Sequence, residues 1–148
     1  MLIHDGRYDW PASDNIRERP VSWWTSSYRV QIFDLRDASG GLPMLQPHLV
    51  ILTDTGAGAS AENCLPELAK HICRDFGLAM PRVRWVEQRL GASPRYEVVT
   101  FTPLTAIGGE PFFRVTRRPP EARELELVNT CLESVRPPQP SRPLPSQA

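Results

Sequence analysis

The chain has 148 residues, 17 of them basic and 17 acidic, so its formal net charge is zero. That balance disfavours general nucleic-acid binding and leaves room only for a local patch, and no apolar run approaches the ~20 residues of a membrane-spanning helix. Cys64, Cys73 and Cys131 form no CxxC pair and follow no secretory signal, so a reducing, cytoplasmic setting is expected.

Residues 1–20 carry Tyr8 and Trp10 among charges and prolines and read as an N-terminal arm. The folded unit expected after it runs over 21–135, roughly 110 residues, within the usual range for one domain. Tyr28, Val30 and Ile32 alternate with Arg29 and Gln31, the pattern of a half-buried strand. His48 to Thr53 is continuously apolar and β-branched, which marks a central strand covered on both faces. A glycine-rich loop, 54–60, leads to Leu65, Leu68, Ala69, Ile72, Cys73 and Phe76 at helical spacing. Asn63 as N-cap places Pro66 in the tolerant first turn, and Gly77 suits the C′ position.

Arg82 to Leu90 and Tyr96 to Thr102 alternate around a Gly-Ala-Ser-Pro turn and predict a hairpin. Phe112 to Arg117 reads as a short last strand. Pro120 as N1 opens a second helix, whose stripe is Leu125, Val128, Leu132 and Val135. The proline-rich end, 136–148, has the composition of a disordered tail. The expected fold is α+β, in the order β-β-α-β-β-β-α: a mainly antiparallel sheet of four or five strands with both helices on one face.

Three groups of residues could carry function. The loop between the central strand and the helix presents Gly56, Gly58, Ser60 and Asn63 at a helix N-terminus, where backbone N–H groups can meet an anion. It lacks the lysine of a P-loop and the third glycine of a dinucleotide loop, so no cofactor is implied. Asp54 and Glu87 would both sit near strands next to the first helix, and Asp54 with or without Glu87 could serve a small hydrolase. Trp23 and Trp24, beside Arg29, make a candidate protein-binding surface, since adjacent residues of an extended chain point to opposite sides. The three histidines and three cysteines have no metal-ligand spacing, and no metal is expected.

Asp54-Thr55-Gly56-Ala57 resembles the signature of retroviral-type aspartic proteases, which implies a homodimer with one catalytic aspartate from each subunit. An amphipathic helix follows here where that family continues as β structure, so the match is read as coincidental. Glu87-Gln88-Arg89 resembles the Glu-x-Lys half of the restriction-nuclease-like signature, with an arginine that cannot act as a proton carrier. Across 49–102, the apolar strand, small-residue loop, amphipathic helix, Trp85-Val86-Glu87 and Tyr96 to Phe101 are similar to small proteins of bacterial plasmids and other mobile elements. That resemblance implies a setting and no mechanism. The reading that follows is a small accessory module, a regulator or inhibitor, whose partner is another protein or a second copy of the chain.

Overall fold

A computed structural model of the chain describes residues 1–11, 25–36, 43–54, 65–90, 93, 95–104 and 112–135. Its strands are β1 (Leu2–Pro11), β2 (Thr25–Asp34), β3 (His48–Asp54), β4 (Val83–Arg89), β5 (Arg95–Leu104) and β6 (Phe112–Arg118). Helix α1 (Leu65–Phe76) joins β3 to β4, and helix α2 (Ala122–Val135) closes the described chain. The fold is α+β in a single domain, and the strands make one sheet of six in sequence order. Every neighbouring pair is antiparallel except β3 and β4, which run parallel because α1 returns the chain to its starting end.

Two expectations need correction. Residues Leu2–Pro11 of the supposed arm form edge strand β1, paired with β2 from Leu2↔Phe33 to Pro11↔Thr25. The glycine and mixed charges of this segment hid a strand that is held laterally rather than by its own apolar face. Tyr8 donates a 2.5 Å hydrogen bond to Asp75 of α1, and the His4 ring sits 4.7 Å from Phe76.

The helices, in turn, lie on opposite faces of the sheet. Val50 and Leu52 join Val30, Ile32, Trp85 and Val99 under Leu65, Leu68, Ala69, Ile72 and Cys73 of α1. Leu49 and Ile51 point the other way, with Phe33, Val86 and Val98, against Val128 and Cys131 of α2. A strand apolar on both faces needs cover on both. At about 25 cal/mol per Å², burying each such Leu, Ile or Val is worth roughly 1.5–3 kcal/mol, so neither layer is dispensable.

The helix ends follow local chemistry. Gly77 has φ 67°, and the Leu78 N–H bonds the Cys73 carbonyl at 2.8 Å, the outer bond of a Schellman motif. Pro66 falls in the first turn of α1, as anticipated. Helix α2 begins later than Pro120 suggested. The Leu125 N–H bonds the Glu121 carbonyl at 2.9 Å, which makes Glu121 the N-cap, and the Glu124 carboxylate accepts the Glu121 N–H at 2.9 Å. The buried stripe is therefore Glu124, Val128 and Cys131, while Leu125 is 37% exposed.

Candidate functional site

The parallel pair β3/β4 and the loop that leaves β3 define one end of the sheet, the end where open α/β sheets place ligands. Leu52 lies opposite Glu87 and Thr53 opposite Gln88, so Asp54 and Glu87 share the face that α1 covers. Their Cα atoms are roughly 8 Å apart, from a strand spacing of ~4.8 Å and a rise of ~3.3 Å per residue. Asp54 is exposed at the strand end and lies opposite Tyr28 of β2.

Glu87 is half-buried and engaged. Arg117 reaches over from β6 and donates to its carboxylate at 2.5 Å, both side chains being mostly covered, 23% and 16% exposed. Next to it Arg89 pairs with Glu97 at 2.9 Å. Each acid of β4 and β5 here thus has an arginine partner. The partner of Glu87 comes from two strands away in the sheet.

The other face of the same end is polar as well. Thr53 and Gln31 are nearly fully buried, and the Thr53 hydroxyl donates to Gln88 Oε1 at 3.1 Å. Asp5 of β1 accepts two hydrogen bonds from Arg29, at 3.0 and 3.1 Å, and a third from Gln31 at 3.3 Å. The Arg29 guanidinium holds the Asp5 carboxyl below its ordinary range, and Asp5 raises Arg29 in turn. Arg29, a partner-binding candidate, is therefore built into the β1–β2 pairing. Trp23 and Trp24 lie outside the described residues, as do Gly56, Gly58, Ser60 and Asn63.

Strand β6, the outermost on its side among the described residues, carries a second arrangement, which sequence reasoning missed. On the α1 face a row of aromatic rings runs outward from the core. Trp85 meets Phe101 edge-on at 5.6 Å, and Phe101 meets Phe113 edge-on at 6.5 Å. Trp85 is buried, whereas Phe101 and Phe113 are only half-buried, so the row opens toward solvent at the edge. Val115 continues the face, and Lys70 of α1 stands 5.4 Å over the Phe113 ring. On the opposite face β6 presents Arg114, Thr116 and Arg118, all exposed, with Arg118 held by Glu124 at 2.6 and 2.8 Å. The signal was present as alternation, Phe113-x-Val115 beside Arg114-x-Thr116-x-Arg118, in a strand too short to stand out.

Cys73 and Cys131 are buried thiols on opposite faces of the sheet, and burial pushes Cys73 up to about 11, far from a reactive thiolate. Among the described residues no group of three or more His, Cys, Asp and Glu side chains could hold a metal, and no helix is long and apolar enough to cross a membrane. Comparison of the chain with protein-family models, curated proteins and solved structures finds no match.

Proposed function

We propose that this chain is a protein-binding accessory module, a regulator or inhibitor that takes an extended segment of its partner onto the β6 edge as a seventh strand. The observation that carries the reading is the aromatic row Trp85–Phe101–Phe113, which ends half-exposed at the outermost strand of the sheet. Strand addition draws affinity from main-chain hydrogen bonds and specificity from alternate side chains. An incoming strand would set apolar residues beside Phe113 and Val115 on one face. On the other it would set acidic residues beside Arg114 and Arg118.

The competing reading, a hydrolase using Asp54 with Glu87, draws support from the face the two acids share. Arg117 opposes it for the metal-dependent form, because a divalent cation at Glu87 would have to displace or tolerate a guanidinium at hydrogen-bonding distance. The bacterial mobile-element setting rests on the sequence resemblance over 49–102 alone.

The test uses a ten-residue peptide alternating valine with glutamate, titrated into the isotope-labelled protein and followed by amide shifts. Shifts should concentrate on 112–118, and Arg114→Glu should weaken binding roughly 5- to 10-fold, through one lost cross-strand ion pair and one new repulsion. A valine–lysine peptide that binds equally well, or shifts confined to the Asp54 end of the sheet, would sink the proposal.

A further inference from the structure

The opposite edge of the sheet has a different electrostatic pattern. Strand β1 is outermost beside β2, and among the described residues no strand lies along its other side. It is ten residues long and, apart from a register shift between Leu2 and His4, is held by the β2 ladder, by the Asp34 N–H on the Met1 carbonyl at 2.7 Å and by the Tyr8–Asp75 bond. A long, well-held edge is a template for another strand unless something blunts it.

The backbone parity of β1 is fixed by its neighbours. The Asp34 N–H bonds Met1 in β1's direction, while the Leu35 N–H bonds Pro47 on the β3 side. Even residues of β2 therefore turn their hydrogen-bonding groups toward β1. In the register His4↔Ile32, Gly6↔Val30 and Tyr8↔Tyr28, the even residues of β1 answer them. The backbone groups of Asp5, Arg7 and Asp9 are directed away from β2, toward the edge.

We propose that β1 pairs with β1 of a second copy of this chain about a two-fold axis at Gly6, extending the sheet across the dimer. An axis there sets Asp5 opposite Arg7 of the second copy and Arg7 opposite its Asp5, while His4 meets Tyr8 on the other face. The two strands meet at glycines, the narrow non-hydrogen-bonded position, where no side chain crowds the axis. An axis at Arg7 or at Asp5 would bring like charges together. An axis at Tyr8 would match Arg7 with Asp9 but set Asp5 opposite Pro11, which has no N–H to give.

Charges on an edge strand commonly protect it from pairing, and they do so best when they repel a copy of themselves. Here the signs alternate so that a copy is attracted. The β6 edge, whose charges are Arg114, Arg117 and Arg118, carries one sign only, and an axis at Thr116 would set Arg114 against Arg118. The two edges are thus distinguished, one for a second copy and one for a partner, and the β1 assignment stands whether or not β6 binds a peptide.

Sedimentation over a concentration series is the experiment. The wild-type chain should form a dimer, and Arg7→Asp should raise its dissociation constant roughly 30-fold, through two lost ion pairs and two new repulsions. Asp5→Arg should do the same. An equimolar mixture of the two variants should recover a heterodimer, since the two carboxylates flanking Gly6 in one strand then face the two guanidiniums flanking it in the other. Far-UV circular dichroism checks that each variant is folded. If Asp5→Arg fails that check, amide exchange decides instead: Asp5 and Arg7 must be protected in the wild type at high concentration, and the same two amides must be exposed in Arg7→Asp. A wild type that stays monomeric at several hundred micromolar, a dimer indifferent to Arg7→Asp, or folded variants that do not recombine would overturn the proposal.

Discussion

The ion pair between Glu87 and Arg117 decides what the Asp54 end of the sheet can do, and it can be dissected by a double-mutant cycle. Both side chains are about one-fifth exposed, and the contact is 2.5 Å. Arg117→Met keeps the apolar stem but leaves the carboxylate without its guanidinium, in surroundings too dry to replace it fully with water. Breaking a fully buried pair costs 3–5 kcal/mol; with this degree of exposure we expect about 2 kcal/mol, or roughly 6 °C in Tm. Glu87→Gln leaves an arginine that reaches solvent more easily and should cost about 1 kcal/mol. The double variant should cost less than the sum, with a coupling of about 1–2 kcal/mol by urea denaturation. The same variants report on chemistry. Magnesium or manganese at millimolar concentration should leave the wild-type Tm unchanged and raise that of Arg117→Met, in which Glu87 is released from the guanidinium. Additivity within ~0.5 kcal/mol would refute the coupling. A wild type stabilised by the metal, with the effect abolished by Asp54→Asn, would restore the hydrolase reading.

Two further substitutions test the supports of the fold. Glu124→Ala removes both the capping bond to Glu121 and the pair with Arg118, whose guanidinium side is 47% exposed and hence screened. The loss should be about 1.5 kcal/mol by thermal melts, most of it from the cap, with Glu124→Gln recovering about half. Arg118 holds the Glu124 carboxyl below its ordinary 4.5, so its contribution is complete above that value and fades as the pH falls through the lower folded-state value. The wild-type advantage over Glu124→Gln should accordingly shrink below pH 4.5; a gap constant down to pH 2 would show that the charge contributes nothing. Gly77→Ala meets no atom within 4 Å but must hold φ 67°, so it should cost about 1 kcal/mol from backbone strain alone, with α1 otherwise intact. A neutral effect would mean that the turn relaxes out of the left-handed region.

The parts of this fold that were legible from residue order are those where one stretch carries its own apolar pattern. Helix α1 shows all of its buried positions at helical spacing, and His48 to Thr53 announces a strand covered twice. The same observation implied a helix on each face, because Val50 and Leu52 point away from Leu49 and Ile51. Placing both helices on one side would have left half of β3 in water. Strand β1 was illegible for the opposite reason. Its residues bury little of their own, and what holds them is a hydrogen-bond ladder to β2 and single contacts from Tyr8 and His4 to α1. Such long-range pairing leaves no local signature.

The candidate sites divide in the same way. Asp54 and Glu87 could be named because each sits at a recognisable place in a strand, but Arg117, thirty residues from Glu87 in sequence, could not be foreseen as the partner that neutralises it. Helix α2 repeats the lesson at one position. A stripe chosen for apolarity selects Leu125, whereas the buried residue is Glu124, because its carboxylate satisfies the Glu121 N–H and the Arg118 guanidinium at once. In this chain arginines close both of these covered acids, Glu87 and Glu124, across strands or turns. Among the described residues, the two sheet edges stand out as surfaces for recognition, one with alternating charge signs and one basic beside a row of aromatic rings.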